Sequence, residues 1–509
     1  MLLAELTRTS ARVASRSGRL DKVAELADIL RRTDAHEAEI AVAFLTGELR
    51  QRQIGVGYRS LRDLPDPVQD ETLTLTGVDD AFSRVKETTG AGSVGARRTV
   101  LVDLFARATA DEQSFLVRLL TGELRQGALD GVMVDAIAKA TGIPVTSVRR
   151  AHMLRGSLIE VAATALHGGR AALDAYRLAV GHALAPMLAA SAPDVTTAFE
   201  KVGEAGVEWK LDGIRVQVHR DGPDVSVYTR SLDDITARVP ELTDAARKLP
   251  GQAFVLDGEA IALREDGRPQ PFQVTAARTG SSADVAAVRD RTPLRAFFFD
   301  VLHLDGADLL DTPLRERYAV LDGLVPDELR VPRVHTGDVD AATAFYADAV
   351  ERGHEGVVIK SLDAPYAAGR RGSGWIKVKP RHTLDLVVLA AEWGHGRRHG
   401  WLSNLHLGAR DAENGGFVML GKTFKGLTDE LLTWQTERLL ALATSPADQW
   451  TVHVRPELVV EIAFDGVQRS SRYPGGLALR FARVLRYRPD KRADDADTFD
   501  AVRALAAVD

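Results

Sequence analysis

The sequence predicts a multidomain chain with an all-α N-terminal part, a central α+β part and a C-terminal part whose short strands suit a small β-barrel. Apolar residues recur at helical spacing through residues 1–190, whereas strand and helix patterns alternate through residues 200–380. Short apolar segments with a two-residue period then occupy residues 384–509. A chain of 509 residues is also long enough for about three domains.

The helical part contains two clear amphipathic segments and one internal repeat. Residues 100–105 and 115–120 each carry apolar side chains on one helical face. The heptapeptide Leu-Thr-Gly-Glu-Leu-Arg-Gln begins at Leu45 and again at Leu120. Duplication of a helical unit, with each copy supplying a helix end and an arginine to one face, explains this repeat. A shared packing role explains it equally well.

The central part alternates strands and helices. Its strand patterns fall at residues 225–228, 254–256, 296–299 and 357–359. Residues 341–351 have a helical pattern, for which Asp340 is the predicted N-cap and Gly353 the predicted stop. Pro380 marks the end of this part. Three further strand patterns follow it, at residues 384–390, 405–407 and 459–462.

Composition excludes several classes of protein. Hydrophobic residues make up 45% and charged residues 27% of the chain, as in an ordinary soluble globular protein. No apolar segment approaches the roughly 20 residues that a membrane-spanning helix needs, and the first residues lack the basic start of a secretory signal. The absence of cysteine excludes disulfides and thiolate zinc sites. We therefore expect a cytoplasmic protein without a membrane partner.

Positive charge is concentrated in two segments, although the net charge is −6. Residues 368–382 hold five basic side chains and no acidic one, and residues 468–492 hold eight against Asp490 alone. Such segments suit a polyphosphate or a DNA backbone. A solvated charged face gives the same composition, so the charge pattern needs support from motifs.

Lys210 begins the most informative motif of the chain, Lys-Leu-Asp-Gly. Asp212 and Gly213 predict a tight turn, in which glycine permits close approach of another backbone segment. Ile214 begins a strand pattern of period two, so the motif holds the lysine at a strand end. A lysine amine, unlike an arginine guanidinium, can lose its proton and act as a nucleophile. An exposed lysine on a surface turn would give the same four residues.

Six further segments follow Lys210 in order and give the motif its meaning. They are Thr229-Arg230-Ser231, Leu256-Asp257-Gly258-Glu259-Ala260, Phe298-Phe299-Asp300, Glu355-Gly356-Val357-Val358-Ile359-Lys360, Trp375-Ile376-Lys377-Val378-Lys379 and Arg488-Pro489-Asp490-Lys491. Their order and spacing resembles that of the covalent nucleotidyltransferases and, within them, of the ATP-dependent DNA ligases. The resemblance covers nearly the whole chain and is closest to the actinobacterial ATP-dependent ligases.

The resemblance implies a fold and an activity for each part. It implies a helical DNA-binding domain at residues 1–190, an adenylation (nucleotidyltransferase) domain at residues 200–380 and an OB-fold β-barrel at residues 384–509. The implied enzyme seals nicks in duplex DNA, first forming lysine–AMP from ATP and then 5′-adenylylated DNA. Such enzymes act in DNA replication, repair and recombination. We expect a bacterial cytoplasmic monomer that is associated with the nucleoid when it is on DNA.

The resemblance also implies roles for individual side chains. Lys210 is the implied nucleophile, Glu208 accepts a hydrogen bond from the adenine amino group, and Phe299 stacks on the adenine ring. The residues implied to contact the sugar and phosphates of the nucleotide or the nick are Arg215, Arg230, Glu259, Arg371, Lys377 and Lys379. The last two are two residues apart, so we expect both on one face of a strand.

A metal and a leaving pyrophosphate complete the implied site. Magnesium, for which manganese can substitute, takes oxygen ligands, and one or two carboxylates are enough. Glu259 and Glu355 are implied as these ligands, so ATP and Mg²⁺ are the expected cofactors. Arg486, Arg488 and Lys491 are implied to orient the leaving pyrophosphate in the first step. The C-terminal part is then expected to turn away so that DNA can enter.

Other classes of protein share parts of this pattern. RNA ligases and guanylyltransferases have the lysine motif, but the helical N-terminal part and Glu208 argue against both. A non-catalytic DNA-binding homologue of the ligases is a further alternative, against which the intact Lys210, both glutamates and the last motif argue. The absence of cysteine disfavours the NAD-dependent ligases, which carry a four-cysteine zinc module.

Overall fold

The computed structural model describes residues 1–90, 92–124, 126–127, 130–280, 285–367, 371–395, 398–447 and 450–506. Its elements form a helical N-terminal region, a central region built on sheets and a strand-rich C-terminal region, in the order that the sequence predicts. No helix within these ranges is long and apolar enough to cross a membrane.

The N-terminal region is helical throughout its regular elements. Its helices are α1 (Leu3–Ser15), α2 (Arg19–Arg32), α3 (Ala38–Thr46), α4 (Leu75–Glu87), α5 (Ser93–Phe105), α6 (Ala110–Leu120), α7 (Asp130–Thr141), α8 (Val145–Arg155) and α9 (Leu158–Asp174). Both predicted amphipathic segments are confirmed as helices, in α5 and α6. They bury Leu101, Leu104, Phe115 and Leu119, and these side chains join a continuous apolar core.

The two copies of the repeat end α3 and α6 in the same way. Gly47 and Gly122 follow the helices with left-handed φ values of +82° and +71°, a conformation that favours glycine. The copies also touch, because the side chain of Gln126 donates to the Leu45 carbonyl. The repeat therefore forms a packed pair of helix ends.

The arginine of the first copy forms ion pairs with acids of the helical region. Arg50 of the first copy pairs with Asp79 at 2.8 Å and with Glu39 at 3.0 Å. Arg125 of the second copy lies outside the described residues. The first copy therefore uses its arginine within its own region.

The central region is an α+β unit. Its elements are β1 (Leu188–Ser191), α10 (Val195–Val202), β2 (Ala205–Trp209), β3 (Ile214–Asp221), β4 (Asp224–Thr229), α11 (Pro240–Arg247), β5 (Ala253–Ala262), α12 (Phe272–Gly280), α13 (Val285–Arg291), β6 (Leu294–Leu304), β7 (Ala307–Asp308), α14 (Leu314–Leu324), β8 (Arg333–Thr336), α15 (Val339–Glu351), β9 (Val357–Ser361) and β10 (Arg371–Val378). Strands β1-β10-β9-β2-β8 form what we call the first sheet, and β4-β3-β5-β6-β7 form the second sheet. The first sheet packs one face on α10 and α15, and the second packs one face on α11 and α14. Their other faces meet at a cleft.

Helix α15 begins earlier than the sequence predicts. Asp340 is not its N-cap; the cap is Asp338, whose side chain accepts from the Asp340 backbone NH at 2.9 Å. Two aspartates flank the helix start, and the extended backbone of Asp338 (φ −93°, ψ 119°) places its carboxylate over the free NH groups. Gly353 follows the helix with φ +84°, as expected of a stop residue.

The connection between the helical and central regions is hydrogen-bonded to β3. The Gln217 side chain accepts from the Leu184 NH at 2.7 Å and donates to the Leu184 carbonyl at 3.2 Å. The Gly181 NH donates to Nδ1 of His219 at 3.0 Å. Burial lowers the pKa of His219 to about 3, so the ring stays neutral and can accept. The boundary that the sequence places near residue 190 falls inside β1.

The C-terminal region is rich in strands. Its elements are β11 (His382–Trp393), β12 (Leu402–Arg410), β13 (Phe417–Thr423), α16 (Asp429–Ala441), β14 (Thr451–His453), β15 (Val459–Phe464), β16 (Gly466–Arg469), β17 (Leu477–Arg480), β18 (Arg483–Tyr487) and α17 (Phe499–Ala506). The main sheet runs β13-β12-β11-β15-β18, and β14 pairs with β11. Within the described residues this sheet is open, so the structure does not show a closed barrel. The Val484 NH donates to the Lys425 carbonyl at 3.0 Å and brings the two edges near each other.

Candidate active site

The cleft between the two sheets is lined by alternate residues of the facing strands. Val207 and Ile359 of the first sheet point towards α10 and α15. Their neighbours Glu208 and Lys360 therefore face the cleft, because successive side chains of a strand point to opposite faces. The same alternation turns Arg215 of the second sheet into the cleft.

Lys210 lies directly after β2, at a strand end, as its motif predicts. Its NH donates to the Gly356 carbonyl at 2.8 Å, and the Glu355 NH donates to the Lys210 carbonyl at 2.9 Å. Its ammonium forms an ion pair with Glu355. Gly213 lies close to β5, since a Cβ at this position would be 2.4 Å from the Ala260 carbonyl oxygen. Backbone and side-chain contacts together therefore hold Lys210 in place.

Glu355 bridges two ammonium groups. One carboxylate oxygen pairs with Lys210, and the other lies 2.6 Å from Nζ of Lys379. Burial favours the neutral acid, but the two cations outweigh it and lower the pKa of Glu355. Burial also disfavours the charged form of Lys379, yet Glu355 and Asp465 raise the pKa of that lysine. The site thus holds an ionised carboxylate against Lys210.

Glu259 lies on β5 opposite Arg215 on β3. Burial raises the pKa of Glu259 to about 7, although Lys210 and Arg215 oppose the shift. Asp257, on the same face of β5, pairs with Arg215 through both oxygens, one of them at 2.9 Å, and accepts from the Tyr366 hydroxyl at 2.7 Å. A carboxyl that titrates near neutrality in a cleft is typical of a functional group.

Glu208 belongs to a buried polar cluster at one end of the cleft. Its carboxylate lies 2.6 Å from the Lys360 ammonium and accepts from the Tyr318 hydroxyl at 2.6 Å. The same ammonium lies 4.4 Å from the ring centre of Phe299 and 4.2 Å from that of Trp375. Sequence reasoning singled out Glu208 and Phe299 but gave Lys360 no role. The contact of Lys360 with Glu208 becomes visible only once β2 and β9 are paired.

The remaining basic residues predicted for the nucleotide lie around the first sheet and a nearby turn. Lys377 is within β10, on the same side as Trp375, whereas Lys379 lies one residue beyond the end of that strand. Lys377 therefore lies on the strand as expected, whereas Lys379 does not. Arg371 begins β10, and its side chain lies outside the described structure. Arg230 lies on the exposed turn after β4.

The three basic residues of the last motif pair with acids of their own region. Arg488 and Lys491 both bind Asp385, at 2.9 Å and 2.6 Å. Arg486 binds Glu461 at 2.6 Å. Among the described residues these cations make no contact with Lys210. The structure brings the three residues together with one another but not with the cleft.

A ribbon formed by β16 and β17 joins the C-terminal region to the cleft instead. Arg480 pairs with Asp212, two residues after Lys210, at 2.8 Å. Asp465 lies 3.3 Å from Lys379 and donates its backbone NH to the Arg480 carbonyl at 3.0 Å. Sequence reasoning gave Arg480 and Asp465 no role and treated Asp212 only as a turn residue. The one available signal was the position of Arg480 in the basic C-terminal segment.

The carboxylates of the cleft fit a magnesium site in number and chemistry. No group of three or more His, Asp or Glu side chains that could enclose a metal occurs in the part of the chain that the structure describes. Glu259 and Glu355 are, however, both close enough to Lys210 to feel its charge. Magnesium usually keeps several waters and takes one or two protein carboxylates together with substrate phosphates. Two carboxylates are enough for such a site.

Three family models match successive parts of the chain. The model described as DNA ligase N terminus matches residues 56–138. The model described as ATP dependent DNA ligase domain matches residues 186–379. The model described as ATP dependent DNA ligase C terminal region matches residues 398–491. The matches fall in the helical, central and strand-rich regions.

Bacterial proteins match the chain over its whole length. A protein of Beutenbergia cavernae named probable DNA ligase is 59% identical, with 100% of both chains covered. A protein of Mycobacterium marinum with the same name is 58% identical, with 99% of this chain and 100% of that one covered. The solved structure named Pmar-Lig_Pre has a similar fold, with a TM-score of 0.64, 18% identity and coverage of 95% and 99%.

Proposed function

The chain belongs to the ATP-dependent DNA ligase family, and from this premise we propose that it seals nicks in duplex DNA at the expense of ATP. The observation that carries the proposal is the position of Lys210. The lysine lies at a strand end, and its backbone is hydrogen-bonded to Glu355 and Gly356. Its ammonium lies among carboxylates and cations of the cleft. A covalent step needs such a fixed amine.

In the first step, the Lys210 amine attacks the α-phosphorus of ATP. The ion pair with Glu355 opens, the ammonium gives up a proton to solvent, a phosphorus–nitrogen bond forms, and the bond to pyrophosphate breaks. AMP then passes to the 5′-phosphate of the nick, and the 3′-hydroxyl displaces AMP to join the strands. Negative charge gathers at phosphorus in every step, so positioned cations carry much of the catalysis.

The cations of the cleft are proposed to contact these phosphates. Arg215, Lys377 and Lys379 line or adjoin the cleft and are assigned to the nucleotide phosphates or sugar. Arg230 and Arg371 are assigned to AMP or the nick. Arginine suits this task because its forked donors match phosphate oxygens.

Adenine and metal are proposed to occupy the two ends of the cleft. Glu208 accepts from the adenine amino group, and Phe299 stacks on the ring. Glu259 and Glu355 hold magnesium, for which manganese can substitute, and Glu259 also contacts the ribose. When bound, the metal supplies charge neutralisation at the phosphates. The raised pKa of Glu259 supports this assignment, because a nearby cation would favour its charged form.

The regions are proposed to divide the labour. Residues 1–190 bind duplex DNA, residues 200–380 form the adenylation domain, and residues 384–509 form an OB-fold barrel. Arg486, Arg488 and Lys491 orient pyrophosphate in an arrangement in which the C-terminal region has turned over the cleft. We further propose a monomer that acts in the cytoplasm, on nucleoid DNA, in the replication, repair and recombination typical of the family.

Labelling with ATP tests the central proposal. ATP labelled at the α-phosphate should label the protein in the presence of magnesium, whereas ATP labelled at the γ-phosphate should not. Acid should remove the label because phosphorus–nitrogen bonds hydrolyse in acid. Nicked duplex DNA should remove it by accepting AMP. A protein that takes no α-label with magnesium or manganese would not be this enzyme.

A truncation tests the role of the helical region. Deleting residues 1–175 keeps the connection to β3 and should leave self-adenylylation nearly intact. Affinity for nicked DNA should fall, and its salt dependence should become shallower, because phosphate contacts are lost. Retained adenylylation reports that the central region is still folded. Equal affinity and salt slope for the two proteins would contradict DNA binding by the helices.

A further inference from the structure

Two stacked rings lie next to the residues that take part in the first step. Trp209 directly precedes Lys210 in the chain, and His354 directly precedes Glu355. The ring centres of Trp209 and His354 are 4.7 Å apart, with 32° between the ring planes. The chemistry described so far gives neither ring a task. Each ring nevertheless lies one residue away from one partner of the Lys210–Glu355 ion pair.

We propose that Trp209 and His354 are positioning residues, whose stacked rings hold the Lys210 amine in place for its attack on ATP. The stack acts through the backbone, because it fixes the segment that carries Lys210 against the segment that carries Glu355. The inference rests on the proposed function, since it takes Lys210 as the nucleophile and ATP as its target.

The stack lies behind the nucleophile, against α15. The ring centre of Trp209 is 6.1 Å from that of Phe345 on α15, and the Arg352 guanidinium lies 5.5 Å from it. Lys210, the next residue, extends instead to Glu355 in the cleft, because successive side chains of an extended chain point to opposite sides. The rings therefore act on Lys210 from the side away from the nucleotide.

The stack is placed where the regular pairing of two strands stops. Strands β2 and β9 pair as far as Trp209, which lies opposite Val357. Lys210 lies beyond this pair and is joined to the opposite segment by the two backbone hydrogen bonds described above. That segment turns at Gly356, whose φ of +121° departs from strand geometry. The contact of Trp209 with His354 adds a further link between the two segments at this point.

The position of the backbone matters because the attack on phosphorus has a narrow geometry. A reacting group misplaced by about 1 Å can lose about a hundredfold in rate. Lysine has a long, flexible side chain, so the backbone that carries it must itself be fixed. Loss of the stack would let the Lys210 and Glu355 segments shift against each other. The residues assigned to the nucleotide would stay in place, so the rate of attack should fall while nucleotide binding is kept.

Single-turnover self-adenylylation with ATP labelled at the α-phosphate tests the proposal. His354→Ala removes the ring contact but changes no side chain of the cleft. Its rate at saturating ATP should fall about tenfold or more, and its KM should stay within about twofold of the wild-type value. An unchanged rate would overturn the proposal. A raised KM with an unchanged limiting rate would also overturn it, because the ring would then serve nucleotide binding.

A phenylalanine variant separates positioning from folding. Nδ1 of His354 has no hydrogen-bond partner among the described residues, so a phenylalanine ring replaces the imidazole without loss of a bond at that atom. His354→Phe should stack on Trp209 and adenylylate within about threefold of the wild-type rate. The final labelled fraction measures the share of folded protein, so partial unfolding lowers this fraction rather than the rate. A fully labelled phenylalanine variant that is as slow as His354→Ala would overturn the proposal.

Two further variants complete the comparison. His354→Leu fills more of the vacated space than alanine but has no flat ring, so it should melt closer to the wild-type temperature and still adenylylate slowly. His395→Ala removes a histidine from a stack of similar geometry on Trp450 in the C-terminal region, at 4.5 Å and 29°. This control should keep the wild-type rate of adenylylation. A leucine variant at the wild-type rate, or equal slowing by both alanine variants, would overturn the proposal.

Failure of this inference is distinguishable from failure of the ligase assignment. A wild-type protein that takes no label from ATP would overturn the proposed function. A wild-type protein that takes label, together with a His354→Ala protein that takes label equally fast, would keep the function and overturn the role of the stack.

Discussion

The cleft and the last motif both gather positive charge, but they hold it in different ways. In the cleft, Lys210, Lys360 and Lys379 reach carboxylates on other elements and are largely shielded from solvent. In the motif, Arg486, Arg488 and Lys491 pair with acids of their own region, and their side chains are 67%, 17% and 32% exposed. The ion pairs of the cleft are therefore formed in this arrangement of the regions. The cations of the motif, by contrast, are paired within the C-terminal region and make no use of the cleft. A step that uses both must therefore move the C-terminal region.

Among the variants that test this comparison, removal of the Lys210 amine should cause the largest loss of activity. Lys210→Ala should reduce covalent transfer of AMP by more than about a thousandfold, because no other amine occupies the same position. It should also stop sealing of an ordinary nick but spare part of the sealing of a nick that already carries 5′-AMP. Lys201→Ala, an exposed lysine on α10, should keep wild-type labelling. Any label on the Lys210→Ala protein would disprove the assignment.

Neutralising the motif should separate the steps. Arg486→Ala, Arg488→Ala and Lys491→Ala should each slow ATP-dependent adenylylation about a hundredfold, the usual effect of removing a group that stabilises transition-state charge. Sealing of a pre-adenylylated nick should change by less than a few fold, because pyrophosphate has already left. Single-turnover kinetics of the two substrates measure both rates, with Arg503→Ala in α17 as control. Similar losses in both steps would show that the motif is not specific to the first.

The ribbon contact should give the opposite pattern. Arg480→Ala removes a charged hydrogen bond to Asp212, so it should slow sealing of a pre-adenylylated nick about tenfold if the docked arrangement serves the later steps. Adenylylation by ATP should stay within twofold of the wild-type rate. Arg472→Ala, on the exposed loop between β16 and β17, is the matched control. A variant that loses adenylylation instead would assign the docked arrangement to the first step.

The smallest expected effect is the pH dependence of folding stability, which has opposite signs for a carboxyl of the cleft and a carboxyl of the motif. Burial raises the pKa of Glu259 from 4.5 to about 7, so between these values the folded protein holds a proton that the unfolded chain has lost. Stability therefore falls as pH rises through this window. Glu259→Gln stays neutral and should raise the Tm of the metal-free, nucleotide-free protein at pH 8 by a few degrees, with no gain near pH 4.5.

Asp490 in the motif should behave in the opposite way. The Arg488 guanidinium holds the pKa of Asp490 at about 2, below its usual 3.8. The contribution of the Asp490–Arg488 ion pair to folding stability is therefore present above pH 3.8 and is lost as pH falls towards 2. Asp490→Asn should give no gain in Tm at pH 8, and a slight loss at most, because the pair is exposed. Thermal melting of the Glu259→Gln and Asp490→Asn proteins across pH measures both effects. Equal shifts in Tm for the two variants would contradict the predicted difference between the cleft and the motif.

Local patterns were enough to predict the order of elements and the position of Lys210 at a strand end. The alternation after Gly213 and the apolar spacing in α5 and α6 are properties of short segments, which the chain keeps in its fold. Lys210 was found because the segments that follow it occur in a fixed order. The N-cap of α15 was misplaced by two residues because Asp338 and Asp340 offer the same chemistry, and backbone geometry chooses between them.

Contacts between distant segments could not be predicted in the same way. The pairing of Lys360 with Glu208 depends on the register of β9 against β2, in which Gly206 lies opposite Lys360. The pair between Arg480 and Asp212 joins residues 268 positions apart. A charged residue does not reveal its partner when the partner lies on another strand or in another domain. Both pairs are seen only in the structure. One involves Glu208, which is itself a predicted site residue, and the other involves Asp212, which lies two residues after Lys210.

The hydrogen-bonded connection at Leu184 ties the helical region to the central region. Gln217 and His219 fasten this connection to β3, and Arg150 of α8 clamps Asp311 at 2.7 Å. Between β10 and β11, by contrast, only residues 379–381 lie outside a strand. We therefore expect the helical and central regions to move together and the C-terminal region to move relative to them. If the proposed function holds, closure on a duplex would then need one rotation about residues 379–381.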